Sequence, residues 1–129
     1  MKALLLYNIK AGKGHIARRI ARIVAIFEEH GIALQPRQIS FTENPFEGAE
    51  DTELAVICGG DGTINYVVNS MFAKGIAPTL GIIPTGTAND FAAAIGMKRR
   101  MMAAARQIAT GTERRVDCGE VNGSYFVNV

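Results

Sequence analysis

Cysteine is scarce in this chain, which has only Cys58 and Cys118 among 129 residues. The two lie far apart in the sequence, with no Cys-x-x-Cys spacing and no pair of histidines near either of them, which argues against a zinc site. Such sparse cysteine usage is typical of a reduced cytosolic protein. Cys58 stands inside an apolar run, so we interpret it as a small buried hydrophobic residue.

Long apolar runs and a strong charge imbalance are also lacking. Met1 to Tyr7 is too short for the apolar core of a signal peptide, and no run approaches the ~18 residues of a membrane-spanning helix. Lys and Arg number 14 against 12 Asp and Glu, and a net charge of +2 does not indicate nucleic acid or an anionic membrane surface as a partner. With 48% apolar and 20% charged residues, the composition is that of one soluble globular domain.

Apolar runs and helical periodicities alternate along the chain. Pro36 favours the start or an edge position of its strand, Gly31 is a natural helix stop, and residues 42–52 are expected to form a loop with at most one helical turn. The closing hairpin is signalled by Asn122-Gly123. The predicted strands are Ala3–Tyr7, Leu34–Phe41, Leu54–Cys58, Leu80–Ile83, Arg114–Val121 and Ser124–Val129, and the predicted helices are His15–His30, Thr63–Lys74, Asp90–Ile95 and Arg99–Ala109.

This order predicts an α/β fold: a parallel sheet in a three-layer sandwich, covered by helices on both faces and closed by a terminal β-hairpin. Ligands of such sheets bind at the carboxyl ends of the strands. Three loops rich in Gly, Thr, Asn and Asp follow strands, so we expect them to meet along that one edge. The loops begin at Asn8, Gly59 and Thr85.

The most informative of these loops is Gly59 to Thr63, which reads Gly-Gly-Asp-Gly-Thr between an apolar strand and a helix. Glycines let backbone N–H groups approach a ligand, and the following helix N-terminus carries partial positive charge, so the turn suits phosphate. Asp61 would repel phosphate, and it makes sense there only if it meets a metal ion, a proton or a hydroxyl. The pattern therefore indicates phosphate chemistry, although glycines without any ligand remain the simpler alternative.

Two other kinds of phosphate-binding loop can be compared with the sequence. Gly12 to Ala17 matches the dinucleotide fingerprint Gly-x-Gly-x-x-Gly/Ala, but residues 8–11 separate it from its strand and no acidic residue ends the second strand. A Walker A loop is absent, because no Gly-Lys pair is followed by Ser or Thr at the required spacing. A dehydrogenase is thus the weaker interpretation.

Three blocks of the sequence resemble the diacylglycerol kinase catalytic domain family, which includes sphingosine and ceramide kinases and bacterial lipid kinases. The Gly59 to Thr63 turn, followed by Asn65, is similar to its nucleotide-binding signature, although NAD kinases and phosphofructokinases carry a related turn. Pro84 to Ala92, reading Pro-Thr-Gly-Thr-Ala-Asn-Asp-Phe-Ala, is similar to the lipid-kinase motif nearly residue for residue. Val116 to Asn128 resembles the stretch that closes the family's N-terminal domain, which has an NAD kinase-like fold.

The resemblance implies a role for each matching residue. Asp61 would accept the proton of the acceptor hydroxyl or hold Mg²⁺ through water, and Asp90 and Asp117 would join an acidic network around the metal. Asn89 and Asp90 are equally suited to capping a helix, and Asp117 to a structural ion pair. The residues implied to contact ATP are Asn8, Gly12, Thr42, Gly59, Gly60, Gly62, Thr63, Asn65, Thr85, Gly86, Thr87 and Asn89.

The implied enzyme is an ATP- and Mg²⁺-dependent kinase that phosphorylates a diacylglycerol-like lipid in phospholipid biosynthesis. The enzyme would be cytoplasmic and peripheral to the membrane and would bind no nucleic acid. The resemblance does not decide between a monomer and a homodimer. Residues 1–129 would be the nucleotide-binding N-terminal domain, inactive alone, because we expect the β-rich lipid-binding domain to be missing after Val129. An NAD kinase-like enzyme for a soluble substrate and a non-catalytic nucleotide-binding protein are the alternatives.

Two departures from the family pattern stand out. The first loop usually reads Asn-Pro-x-Ser-Gly, but here Ile9 and Ala11 replace the proline and the serine, so position 11 has no hydroxyl with which to contact phosphate. The stretch between Thr42 and the third strand is also shorter than usual, which is consistent with a lost or shrunken helix. Thr42 still matches the family's threonine after the second strand.

Overall fold

Six strands and three helices make up the described part of the chain in a computed structural model. The structure describes residues 1–8, 16–85, 96–97, 100–111, 117–121 and 124–128. In chain order the elements are β1 (Ala3–Tyr7), α1 (Ile16–Glu29), β2 (Leu34–Gln38), β3 (Leu54–Gly59), α2 (Asp61–Lys74), β4 (Thr79–Pro84), α3 (Met101–Thr110), β5 (Asp117–Val121) and β6 (Ser124–Asn128).

The first four strands form one parallel sheet in the order β2-β1-β3-β4. β2 is an edge strand, and its Pro36 lies opposite Leu5. Proline has no N–H to donate, so the edge position predicted for it is confirmed. The strand order reverses between β1 and β3, and loops that leave such a point in opposite directions open a crevice at the carboxyl edge.

Helices cover both faces of this sheet. Leu4 and Leu6 pack in a core with Ile64 and Val67 of α2, whereas Ala3 and Leu5 pack with residues of α1 and α3 on the opposite side. The alternation follows from the two-residue period of a strand, which sends successive side chains to opposite faces. Because both faces are buried, β1 and β3 read as continuous apolar runs, and the predicted three-layer parallel-sheet sandwich is confirmed.

Several predicted boundaries shift in the structure. The second strand ends at Gln38 and not at Phe41 as predicted. The amide of Ile39 still donates to the carbonyl of Tyr7, but the chain turns away from the sheet after it. The helix predicted from Thr63 begins at Asp61, since Gly60 already has the extended conformation of an N-cap. The helix predicted over residues 90–95 lies outside the described residues.

The predicted stop of α1 at Gly31 is confirmed. Gly31 has a φ of 77°, and the amide of the next residue, Ile32, donates to the carbonyl of Phe27. Glycine adopts this left-handed conformation without the clash of a Cβ atom, so the chain can leave the helix and enter β2.

Residues 42–52 form successive turns without a regular helix, as predicted. Asn44 donates from Nδ2 to the carbonyl of Ser70 on α2 at 2.9 Å, and its Oδ1 accepts from the amide of Phe46 at 2.9 Å. Phe46 is fully buried in the core that α2 covers. The segment is thus anchored beside α2 by one amide side chain and one aromatic ring.

The predicted terminal hairpin is also confirmed. β5 and β6 pair antiparallel with Val121 opposite Ser124, and they form a two-stranded sheet of their own. β6 lies against α2, the helix that follows the glycine turn. In the part of the chain that the structure describes, no helix has the length and apolar character needed to cross a membrane.

Candidate functional site

The carboxyl edge of the sheet brings together the ends of four strands. Tyr7, Gln38, Cys58 and Ile83 stand level across the sheet, since Tyr7 pairs with Gln38 and Cys58, and Cys58 pairs with Ile83. The next residues along the chain include three that were predicted to contact the nucleotide: Asn8, Gly59 and Thr85. The predicted meeting of the loops at one edge is confirmed for the residues that the structure describes.

The glycine turn joins β3 directly to α2. Gly60 is the N-cap, with φ −100° and ψ −169°, and its carbonyl accepts the amide of Ile64 at 3.0 Å. Having no side chain, Gly60 cannot accept the N–H groups of the first helical turn as a Ser or Asp cap would. The N-terminus of α2 is therefore suited to an external anion, for which the aligned peptide dipoles supply a favourable potential.

The three glycines of this turn have different physical roles. A Cβ on Gly59 would lie 2.8 Å from Cβ of the buried Thr63, so glycine is required there for close packing of strand and helix. A Cβ on Gly62 would meet nothing within 4 Å among the described residues. Packing therefore does not require glycine at position 62, and the open space fits the approach of a ligand to the backbone.

Asp61 is the first residue of α2 and is half-buried at the edge of the sheet. A carboxylate in the first turn is favourable to the helix dipole, so its position is consistent with both a structural and a chemical role. Among the described residues, no group of three or more His, Cys, Asp or Glu side chains could hold a metal ion. Mg²⁺ commonly takes only one or two protein carboxylates besides phosphate and water, so Asp61 alone fits a partial ligand set.

Asn65 lies one helical turn beyond Asp61 and carries an orphaned polar atom. Its Oδ1 is buried and has no hydrogen-bond partner among the residues that the structure describes. Leaving a buried acceptor without a donor costs about 1–3 kcal/mol, so such atoms usually have a partner that completes them. Its place next to the glycine turn is consistent with a partner that belongs to a bound nucleotide or metal-bound water.

Cys58 lies directly before the turn, in the core that α1 and α3 cover. Burial raises the pKa of its thiol from 9.0 to about 12, and the nearby guanidinium of Arg19 only partly opposes this. The side chain is thus neutral, and the prediction of a small buried hydrophobic residue is confirmed.

Only some of the remaining predicted residues lie in the described part of the chain. Thr42 is exposed in the turn after β2, where its hydroxyl lies 2.7 Å from that of Ser40. Asp117 is the first residue of β5, opposite Asn128, in the hairpin that contacts α2 through β6. The predicted residues outside the described part of the chain are Gly12, Gly86, Thr87, Asn89 and Asp90.

One feature near this edge was not predicted from the sequence. Phe41 and Tyr66 make an edge-to-face contact, with ring centroids 4.8 Å apart, between the turn after β2 and α2. Nothing in the local sequence of either residue signals this pair, because they are separated by residues 42–52 and the whole of β3.

A parallel sheet with helices on both faces and a glycine turn opening α2 places this chain among α/β domains built around a strand-to-helix glycine turn. The chain belongs to the family described as the diacylglycerol kinase catalytic domain, whose model matches residues 2–121. That membership separates it from the NAD kinases and phosphofructokinases, which the turn alone left open.

Similar proteins share both sequence and fold. The chain is 35% identical to the diacylglycerol kinase of Bacillus subtilis (strain 168), over 99% of this chain and 44% of that protein. It is 33% identical to the diacylglycerol kinase of Staphylococcus carnosus (strain TM300), over 99% of this chain and 44% of the relative. A diacylglycerol kinase structure from Bacillus anthracis str. Sterne superimposes with a TM-score of 0.85 at 32% identity, over 97% of this chain and 45% of that one. The chain thus spans less than half the length of these relatives.

Proposed function

We propose that residues 1–129 are the nucleotide-binding N-terminal domain of an ATP-dependent lipid kinase, which transfers the γ-phosphate to a hydroxyl of a diacylglycerol-like lipid. The observation that carries the proposal is the β3–α2 turn, where Gly60 caps α2 without a side chain and Asp61 opens the helix. Membership of the diacylglycerol kinase catalytic domain family supports the same activity.

The residues of the turn would position the triphosphate. Backbone N–H groups of the first turn of α2 would donate to phosphate oxygens, and the open space beside Gly62 would let them approach. Asn8 and Thr85 stand at the ends of β1 and β4, where their side chains would add hydrogen bonds from either side. Phosphoryl transfer depends mainly on such positioning and on neutralising charge.

Asp61 would be the acidic centre of the reaction. Its carboxylate would accept the proton of the lipid hydroxyl as the new O–P bond forms, while the bond from the γ-phosphorus to the bridging oxygen breaks and ADP leaves. Alternatively, Asp61 would hold Mg²⁺ through water, with Asp90 and Asp117 in the acidic network, and the ion when bound would neutralise charge on the phosphate oxygens. Asn65 would satisfy its buried Oδ1 in the occupied site.

The remainder of the active site would come from the rest of the protein. The relatives are more than twice as long as this chain, so a lipid-binding domain is expected beyond it. Lipid would then be bound at the membrane surface by that domain, with the cleft between the two domains as the site. We expect the enzyme to be cytoplasmic and peripheral to the membrane, and this chain alone to be inactive.

The test is transfer of radiolabelled phosphate from ATP by the full-length protein, with Mg²⁺ and either a lipid extract or NAD as the acceptor. Label should enter lipid and not NAD. Asp61→Ala should abolish transfer without changing the temperature of thermal unfolding. The control variant Asp51→Ala should leave transfer unchanged, because Asp51 is exposed and pairs with Lys2 at the opposite edge of the sheet. Label in NAD, or ATP binding without any transfer, would overturn the proposal.

A further inference from the structure

Phe41 is an aromatic ring held in place but left open to solvent. It is 50% exposed, and among the described residues only Met1 and Phe72 are also large, apolar and exposed. Tyr66 contacts it edge to face, with an angle of 61° between the ring planes. The position of the Tyr66 hydroxyl is itself fixed by two backbone carbonyls. It donates to the carbonyl of Glu43 at 2.5 Å, and the carbonyl of Ser40 lies 3.3 Å from it.

The pair stands at the ligand-binding edge of the sheet. Phe41 follows the carboxyl end of β2, which is tied to β1 by the hydrogen bond from the Ile39 amide to the Tyr7 carbonyl. Tyr66 lies on α2, and a rise of 1.5 Å per residue puts it roughly 9 Å along the helix from Gly60. The aromatic pair is therefore displaced from the phosphate turn toward β2, on the side of the sheet that α2 covers.

We propose that Phe41, braced by Tyr66, is the stacking surface for the base of the bound nucleotide, and so a specificity-determining residue. The inference rests on the proposed function, which supplies the nucleotide. Every base has a π-face that stacks on an aromatic ring. The neighbours of Phe41 in the chain, Ser40 and Thr42, hold their hydroxyls 2.7 Å from each other, and this hydroxyl pair would lie near the ribose or the polar edge of the base.

A nucleotide base fits this surface better than a lipid chain does. The exposed apolar feature is a single ring whose neighbours in the chain are polar, namely Ser40, Thr42 and then Glu43, and an acyl chain laid over it would take these polar groups out of water. A base has both an apolar face and polar edges, so it can cover the ring while its edges bond to hydroxyls or water. The contact with Tyr66 also restricts the Phe41 ring before the base binds, which lowers the entropic cost of stacking.

The experiment uses the full-length protein and two probes, ATP and inorganic triphosphate, which shares the phosphates but has no base. Phe41→Leu should weaken ATP binding roughly tenfold and leave triphosphate binding unchanged, because only the stacking surface is lost. Phe41→Trp should restore ATP affinity. The difference in fluorescence between Phe41→Trp and the parent protein reports the new indole, because residues 1–129 of the parent contain no tryptophan. ATP but not triphosphate should quench that difference.

A matched control is Phe72→Trp, which places an indole at a 41% exposed position near the other end of α2 and should not respond to ATP. Unchanged ATP affinity in Phe41→Leu, or an equal loss for ATP and triphosphate, would overturn the stacking role while leaving the kinase proposal intact. Failure of the parent protein to bind ATP at all would overturn both. Equal quenching at positions 41 and 72 would also contradict a local stack.

Discussion

Gly59 and Thr63 are in contact so close that Gly59 has no room for a side chain. A Cβ on Gly59 would lie 2.8 Å from Cβ and 2.9 Å from Cγ2 of Thr63, which is itself buried between α2 and the sheet. Real Cβ atoms do not approach that closely, so α2 would have to shift. This contact fixes the distance between the end of β3 and the helix that begins at Asp61.

Gly59→Ala should therefore destabilise the domain. Overpacking of this kind costs about 1–3 kcal/mol, because backbone must move when the obstructing atoms belong to a short, buried side chain. Urea unfolding followed by circular dichroism measures the loss. Gly59→Ala combined with Thr63→Ser should recover part of the stability, since the serine lacks the Cγ2 atom. A single variant as stable as the parent would show that the turn is not packed as described.

Gly62→Ala makes the matched comparison within the same turn. A Cβ there meets nothing within 4 Å in the described structure, and alanine is a better helix former than glycine by roughly 0.5–1 kcal/mol. We expect unchanged or slightly raised stability together with weaker ATP binding, because the methyl group would stand where the phosphates approach. Equilibrium binding of ATP to the full-length protein tests the second part, and undiminished affinity would contradict a ligand at this position.

The pattern of residues was sufficient to predict the sheet and the edge at which the strand-end loops of the candidate site meet. Apolar runs such as Leu54–Cys58 and glycine turns are local, and parallel strands bring their carboxyl ends together whatever the details of packing. The start of α2 at Asp61 was not predicted, because glycines on both sides of it favour a loop on propensity alone. The pairing of Phe41 with Tyr66 depends on tertiary contacts across the sheet edge, for which the sequence contains no local signal.

Cys58 should be chemically silent in the folded protein. With the pKa of its thiol raised to about 12, and the side chain buried, the reactive thiolate is scarce at pH 8. In a Cys118→Ser background, a thiol reagent should label Cys58 only after denaturation. The folded pKa exceeds the unfolded value of 9.0, so this thiol favours folding fully below pH 9 and loses that contribution as the pH rises toward 12. Rapid labelling of the native protein at pH 8 would contradict the described burial.

Asn65→Leu, which removes the buried Oδ1 atom, should affect the free energy of unfolding and the affinity for nucleotide differently. Leucine has nearly the shape of asparagine, and replacing a buried acceptor that has no partner in the described part of the chain by an apolar group should remove a cost of about 1–3 kcal/mol. The free energy of unfolding without nucleotide should therefore stay constant or rise. ATP should stabilise this variant less than it stabilises the parent, because the acceptor that the bound nucleotide or its hydration shell completes is gone. Thermal unfolding with and without ATP and Mg²⁺ measures both effects. Destabilisation in the absence of nucleotide would instead show that Oδ1 has a partner within the protein, and Asn65 would then be a structural residue.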